Sequence, residues 1–144
     1  MVVRKICEGD CCQEFTTGEP KFDLDEQGNP IPLSFYLDRD RSGQYQSFIY
    51  EENGEVIGIL CIEITENLLY LSRIGIKGTY RNQHKGYYLH KYMMDLVQEK
   101  RIKAISAMAH YGVFSWFEDL GYRKVHEYND PLWGKSALML LLIG

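Results

Sequence analysis

Residues Ile74 to Leu89 read IGIKGTYRNQHKGYYL, an apolar run followed by a polar turn and then by the start of a helical pattern. The first turn of a helix has unpaired backbone N–H groups and the positive end of the helix dipole, so a junction of this kind binds anions. Gly86 permits a ligand to approach the backbone closely. Arg81 and Lys85 add charge-assisted hydrogen bonds. The ligand that this junction predicts is a diphosphate.

The segments before the junction predict an antiparallel meander of three strands. Tyr45 to Glu51 reads as a strand, and Asn53-Gly54 follows it, a dipeptide that accepts positive φ at both positions of a tight turn. Val56 to Thr65 reads as the return strand, and Leu68 to Ile76 reads as the third strand, which leads into the junction.

Helices and strands alternate after the junction. Apolar residues recur at helical spacing from about Gly86 to Arg101, which predicts a helix. The next elements are predicted as a strand at Ile102 to Ala109, a helix at Tyr111 to Leu120, a strand at Tyr122 to Tyr128, a loop at Asn129 to Gly134 and a strand at Ser136 to Ile143.

The first 43 residues have weaker patterns. Val2 to Cys7 is a short β-like run, and residues 8–43 are broken by glycine and proline, with a short helix at Ile31 to Leu37 as one interpretation. The whole order predicts an α+β fold in layers, with one mixed, mostly antiparallel sheet of six to seven strands flanked by helices. We expect residues 1–144 to form a single domain.

Composition restricts the classes of function. The chain has 144 residues, 45% of them apolar, and a net charge of −4, which argues against nucleic acid as the main partner. Its longest apolar run near the end, Ala137 to Ile143, is too short to span a bilayer, so we predict no membrane partner. The four cysteines lack zinc-site spacing, which favours free thiols, a cytoplasmic location and no bound metal.

The junction resembles the coenzyme-binding motif of the GNAT superfamily of N-acetyltransferases. That motif is an apolar strand end, often followed by Pro-x-Tyr, and then by Arg/Gln-x-x-Gly-x-Gly/Ala at the start of a helix. The matching residues here are Ile76, Tyr80, Arg81, Gly86 and Leu89.

Two positions depart from the motif, and a second segment supports it. His84 replaces the first glycine of the motif, and Gly78 stands where proline is common. Downstream, Trp116 to Tyr122 is similar to the Phe-Tyr-Glu-Lys-Leu-Gly-Phe segment that often follows the fifth strand in this family. The resemblance covers residues 44–143 well.

The resemblance implies acetyl-CoA as the cofactor. In family members, backbone groups of the strand before the turn pair with the pantetheine arm, and amides of the turn hold the pyrophosphate. Carried over, the cofactor-binding residues are Ile74, Gly75, Ile76, Arg81, Asn82, Gln83, His84, Lys85, Gly86, Tyr87 and, on the second helix, Phe117.

The resemblance is incomplete at the position of the general acid. Many members have a tyrosine there that protonates the leaving thiolate, and this chain has Phe117. His110 and Tyr111 are the candidate proton donors that remain, and a reaction that needs no donor is the further alternative. The alternatives are that His110 packs or caps a helix, and that Tyr111 is a half-buried surface aromatic.

A candidate base lies in the meander. If Glu66-Asn67 forms a tight turn, Glu63 lies opposite Tyr70 near the centre of the sheet, where family members often have a carboxylate that acts through water. Apolar neighbours raise the pKa of a carboxylate, which suits a base. A solvent-facing charge is the alternative for Glu63, and Ser72 is a further candidate.

The resemblance implies transfer of an acetyl group to a primary amine of a small molecule or peptide, by direct attack of the amine on the thioester. The alternative is a non-catalytic GNAT-fold module that binds acyl-CoA or a protein partner. The loop with Asn129, Asp130 and Trp133 often borders the substrate in this family, and a plain turn is the alternative. The oligomeric state stays open, with a homodimer as one option.

Overall fold

The computed structural model describes residues 2–144, which form one seven-stranded sheet and three α-helices. The strands are β1 (Val2–Lys5), β2 (Gln46–Glu52), β3 (Glu55–Thr65), β4 (Leu68–Ile76), β5 (Ala104–His110), β6 (Arg123–Asp130) and β7 (Gly134–Leu142). The helices are α1 (Leu33–Arg41), α2 (Lys85–Glu99) and α3 (Phe114–Asp119). The predicted fold class and order of elements are confirmed.

The strands lie side by side in the order β1-β2-β3-β4-β5-β7-β6. All neighbours are antiparallel except β4 and β5, which are parallel because α2 carries the chain across the sheet between them. At the predicted β2–β3 turn, Asn53 and Gly54 have φ angles of 53° and 79°, as a tight hairpin of this type requires.

The helices pack on opposite faces of the sheet. On one face, α2 buries Leu89, Met93 and Val97 in the main hydrophobic core, to which α3 also contributes. On the other face, α1 packs over β2 and β3 in a smaller core. No helix among the described residues covers β5 and β7 on the α1 face, and Met108 there is 51% exposed. The part of the α1 face formed by β5 and β7 therefore remains accessible to solvent.

Three predicted boundaries are corrected. Helix α1 ends at Arg41 rather than Leu37, because its last turn consists of polar residues and has no apolar period to predict it. The helix predicted from Tyr111 begins as a single 3-10 turn, Tyr111–Val113, before α3.

The third correction shortens the loop predicted at residues 129–134. Strand β6 extends to Asp130, so only residues 131–133 remain outside the strands. The Asp130 carboxylate accepts hydrogen bonds from the backbone N–H groups of Leu132 and Trp133, at 2.8 and 2.9 Å. These bonds stabilise a compact turn that the polar sequence alone did not reveal.

Residues 16–23, here called the strap, cross β4 on the α1 face. The backbone N–H of Gly78 donates to the carbonyl oxygen of Thr16 at 2.9 Å. A guanidinium nitrogen of Arg73 donates to the carbonyl oxygen of Phe22 at 2.7 Å. Within the strap, the Asp23 carboxylate accepts from the backbone N–H and the hydroxyl of Thr17. The strap thus has a fixed position, and its regular structure is limited to a single 3-10 turn at Pro20–Phe22. No helix in residues 2–144 is both long and apolar enough to cross a membrane.

A buried histidine links α2 to the chain just before β6. His90 is almost inaccessible, and its Nε2 lies 2.9 Å from the hydroxyl of Tyr122. The edge of Trp116 packs against the same ring. Burial lowers the pKa of His90 to about 4, because the charged imidazolium would lose its hydration. His90 is therefore neutral in the folded protein near pH 7.

We expect the free energy of unfolding to decrease as the pH falls from 6.5 to 4. In this window the unfolded chain binds a proton at His90 that the folded protein does not bind; above pH 6.5 both states are neutral there. The full shift corresponds to about 3 kcal/mol. Denaturant unfolding should show a flatter pH dependence for His90→Gln, whereas His126→Gln, at an exposed site, should retain the wild-type slope. An NMR titration that gives the His90 ring a pKa near 6.5 would contradict this account.

Candidate active site

Strands β4 and β5 separate part-way along their length. Their parallel pairing ends at Leu71 and Ala107, although both strands continue. At the same level, a β-bulge between β3 and β4 leaves Ser72 without a partner. A bulge increases the local twist of a strand, so β4 turns away from β5 at this point. The gap between them leaves the edge of β4 free on that side.

A cleft of about 900 Å³ lies at this gap, and its lining includes residues of the strap on one face of the sheet and of α2 and α3 on the other. Its lining includes most of the predicted site residues: Ile74, Gly75, Ile76, Arg81, Asn82, His84, Lys85, Gly86, Tyr87 and Phe117 for the cofactor, and Tyr70 and His110 for catalysis. Three predicted site residues are not among the described residues that line the cleft: Glu63, Gln83 and Tyr111.

The backbone of the junction forms a concave surface at the start of α2. Asn82 has a φ of 64° and His84 a φ of 59°, both in the left-handed region, and α2 begins at Lys85. Residues that alternate between left- and right-handed conformations direct successive N–H groups to one side, which binds anions. The position of His84 therefore needs positive φ, which explains why glycine is common there in the GNAT motif.

Gly86 lies where the first turn of α2 approaches the wall of the cleft. A Cβ atom at this position would be 3.4 Å from the ring of Trp116 and 3.9 Å from the side chain of Ile76. A methyl group fits, but any longer side chain would enter the space next to the free N–H groups. Glycine thus keeps the helix N-terminus open to a ligand.

Both predicted cations already have carboxylate partners. Arg81 pairs with Glu19 of the strap. The ammonium of Lys85 lies 2.9 Å from the Glu52 carboxylate, and this hydrogen bond raises the pKa of Lys85. Only 13% of the Lys85 side chain is exposed, against 41% for Arg81. Arg81 is therefore free to exchange its partner for a phosphate, whereas Lys85 is held against β2.

Phe117 presents a ring without a hydroxyl to the cleft. It is buried and packs edge-on against Trp116 and Tyr122, with ring centroids 5.0 and 5.1 Å apart. Phe117 lies in α3 and lines the cleft, and its ring cannot donate a proton to a leaving group.

His110 has the helix-capping role that was one of its two interpretations. Its Nδ1 accepts a hydrogen bond from the backbone N–H of Gly112 at 3.1 Å. Its ring stacks on Phe22 at 3.8 Å, and Phe22 stacks in turn on Trp133 at 4.7 Å. Burial lowers the pKa of His110. A neutral ring whose Nδ1 accepts a bond carries its proton on Nε2, so it is a hydrogen-bond donor rather than a base.

Glu63 and Tyr70 lie opposite each other in the β3–β4 register, as predicted from a tight turn. Tyr70 lines the cleft, and burial raises the pKa of its hydroxyl. The Glu63 carboxylate accepts a hydrogen bond from the amide of Gln44 at 2.6 Å. Tyr111 is 68% exposed and lies in the 3-10 turn after β5.

Sequence patterns did not reveal three strap residues of the lining, Thr17, Glu19 and Phe22. Their segment has no periodicity, and its glycine and proline indicated only turns. Of the three loop residues expected to border the substrate, Asp130 and Trp133 line the cleft and Asn129 does not.

Comparison with known families identifies the fold. Residues 10–122 match the model of the acetyltransferase (GNAT) family, which is most of the chain. The chain belongs to the GNAT acetyltransferase family. Among curated proteins, no sequence matches this GNAT domain.

Solved structures agree with this assignment at the level of fold. Ard1 from Thermoplasma volcanium has a TM-score of 0.79 and 10% identity over 99% of this chain and 97% of its own. The ribosomal-protein-S18-alanine N-acetyltransferase from Escherichia coli has a TM-score of 0.76 and 13% identity, over 99% and 94%. A GNAT family acetyltransferase from Elizabethkingia anophelis with acetyl-CoA bound has a TM-score of 0.66 and 16% identity, over 83% and 95%. At these identities the likeness shows the fold alone.

Family membership implies acetyl transfer from acetyl-CoA, the cofactor that GNAT enzymes use. Three observations indicate that the residues of the cleft fit this cofactor. The junction presents free N–H groups to a diphosphate, Gly86 leaves space beside them, and the separated edge of β4 is open to an extended arm.

The left-handed backbone at His84 should make that site selective for its side chain. We expect His84→Val to lower the free energy of unfolding by about 1–2 kcal/mol, because a β-branched residue is strained at positive φ. His84→Gly should leave the stability within about 1 kcal/mol of wild type. Denaturant unfolding measures both. Gln83→Val is the matched control, since Gln83 is exposed and outside the left-handed region, and it should change stability little. Equal effects of valine at both positions would contradict the strain at His84.

Proposed function

We propose that this GNAT protein transfers the acetyl group of acetyl-CoA to a primary amine of a small molecule or a peptide. The observation that carries the proposal is the cleft at the point where β4 and β5 separate, lined by α2 and α3 on one face of the sheet and by the strap on the other. In the proposal, the two reactants reach the same gap from opposite faces.

The cofactor half is assigned to backbone groups. In the proposal, the N–H groups of residues 83–87 hold the pyrophosphate, with Arg81 as the exchangeable cation. The free edge of β4 from Ile74 to Ile76 holds the pantetheine arm. When bound, acetyl-CoA supplies an activated thioester whose carbonyl carbon accepts the amine.

The acceptor half has to orient the amine and remove its proton. We assign the contact with the amine to the hydroxyl of Tyr70, because this residue belongs to the lining and lies one residue before the end of the β4–β5 pairing. Glu63, opposite Tyr70 and outside the lining, would act through Tyr70 as a positioning residue. His110 would donate a hydrogen bond from Nε2 into the cleft.

Phe117 supports a second candidate function, a module that binds acyl-CoA without transfer. The two candidates share cofactor binding and differ in turnover. Mass spectrometry of a broad amine panel incubated with acetyl-CoA separates them: an acetylated product supports transfer, and tight cofactor binding without any product supports the module.

Cofactor binding should depend on Gly86. In Gly86→Asp the carboxylate would repel the diphosphate and fill the space before Trp116, so we expect acetyl-CoA affinity to fall at least about 100-fold, the effect of losing a charge-assisted contact and adding repulsion. Isothermal titration calorimetry gives the dissociation constants. Gly9→Asp is the control, since nothing lies within 4 Å of a Cβ there and its affinity should match wild type. Binding retained in Gly86→Asp would contradict the assignment of the junction.

Transfer should depend on the Tyr70 hydroxyl. We expect Tyr70→Phe to lower kcat by about 100-fold, the usual scale of general acid–base assistance, with acetyl-CoA affinity unchanged. Tyr111→Phe is the matched control, because the same atom is removed from an exposed ring, and it should retain kcat. Steady-state kinetics at saturating acetyl-CoA measures both. The reverse pattern would transfer the role to Tyr111.

A further inference from the structure

One arginine on the acceptor face has no carboxylate partner. Arg39 lies on α1 and is half-buried, and within residues 2–144 it forms no ion pair. By contrast, Arg4, Arg41, Arg73 and Arg81 all pair with carboxylates. Partial burial of a guanidinium without a counterion costs free energy of folding, which suggests that Arg39 is retained to bind a ligand.

Two aromatic rings hold the Arg39 guanidinium in place. Its central carbon lies 4.6 Å from the ring centroid of Phe35 and 4.3 Å from that of Tyr45. Cation–π contacts of this kind fix the plane of the guanidinium before any ligand arrives. Since an arginine loses less entropy on binding when it is already ordered, the arrangement favours recognition of a planar anion.

Arg39 is not itself in the lining of the cleft, and its guanidinium reaches the lining through Ser72. Its Nη1 donates to the hydroxyl of Ser72 at 2.7 Å. Ser72 belongs to the lining of the cleft and is the bulged residue directly after Leu71, the last β4 residue paired with β5. An anion beside Ser72 would therefore lie next to the site assigned to the acceptor amine.

The nearby carboxylates are occupied elsewhere. Glu63, on the same face as Tyr70, is hydrogen-bonded to Gln44. Asp40, one residue after Arg39, pairs with Lys5 and accepts from the backbone N–H of Ser47. A guanidinium has five N–H donors, and one of them is accounted for by Ser72. The remaining donors form a fork that matches the two oxygens of a carboxylate.

We propose that Arg39, oriented by Phe35 and Tyr45, binds a carboxylate of the acceptor, so that the preferred substrate carries an anionic carboxylate close to its amine. This inference rests on the proposed function and names the substrate class of the same site. The carboxylate has two chemical sources, the α-carboxylate of a free amino acid or an Asp or Glu side chain of a peptide.

The first experiment compares matched acceptors at saturating acetyl-CoA: glycine with glycinamide for the α-carboxylate, and Ala-Glu-amide with Ala-Gln-amide for the side chain. Wild type should favour the carboxylate member of at least one pair by about 10- to 100-fold in kcat/KM, the range of a charge-assisted bidentate contact. Arg39→Gln should abolish this preference with little change for the uncharged member. Arg39→Lys should restore part of it. Arg41→Gln, on the same helix with an exposed ion pair, should retain it.

The second experiment needs no turnover. N-acetylglycine, N-acetyl-Ala-Glu-amide and their uncharged partners, N-acetylglycinamide and N-acetyl-Ala-Gln-amide, are titrated into the CoA-saturated protein and followed by NMR. The carboxylate form of at least one pair should bind more tightly to wild type and lose that advantage in Arg39→Gln. Carboxylate-selective binding without acetylation of any amine supports Arg39 and overturns the transfer proposal. Acetylation without carboxylate preference, or an equal loss for both members in Arg39→Gln, overturns the Arg39 assignment. If no amine is acetylated and no carboxylate form binds selectively, both the transfer proposal and the Arg39 assignment are overturned.

Discussion

The early end of the pairing between β4 and β5 is the constraint on which the site depends. Parallel strands share a crossover connection, so α2 must begin close to the end of β4. The bulge at Ser72 makes β4 leave its neighbour four residues before the strand ends at Ile76, and the turn that follows leads to α2 at Lys85. The unpaired strand edge and the anion-binding end of α2 are consequently side by side. A β4–β5 ladder that continued to Ile76 would close the cleft and leave the junction as an isolated turn.

The strap connects the two halves of the cleft through charged contacts. Arg73 and Gly78 anchor it to β4 and to the following turn. Glu19 of the strap pairs with Arg81 of the junction. Any ligand that takes Arg81 from Glu19 therefore changes the support of the acceptor side. One ion pair therefore joins the strap to the junction across the cleft.

Local patterns predicted the elements, and non-local contacts escaped prediction. The β2–β3 hairpin and α2 could be predicted because each depends on a few neighbouring residues. These are Asn53-Gly54 for the turn and the spacing of Leu89, Met93 and Val97 for the helix. The hydrogen bond between Arg73 and Phe22 joins residues that are 51 positions apart in the sequence, and no periodic pattern predicts it.

The same limit applies to charges in the candidate site. Arg81 and Lys85 were identified by residue type, but their availability depends on Glu19 and Glu52, which lie far away in sequence. His84 is the opposite case. The φ angle of His84 explains its departure from the family motif. The junction needs a left-handed backbone conformation at this position, and histidine can adopt it in place of glycine.

The chemistry of the leaving group explains why Phe117 is compatible with transfer. A thiol has an ordinary pKa near 8.5, so a thiolate departs close to neutral pH with little help from an acid. The amine is the harder partner, since an alkylammonium has a pKa near 10.4 and is mostly charged at pH 7. Desolvation in the cleft disfavours the ammonium, whereas the Asp130 carboxylate, which lines the same cleft, favours it. The acceptor face, rather than the missing hydroxyl at Phe117, therefore determines how readily a neutral nucleophile forms in the cleft.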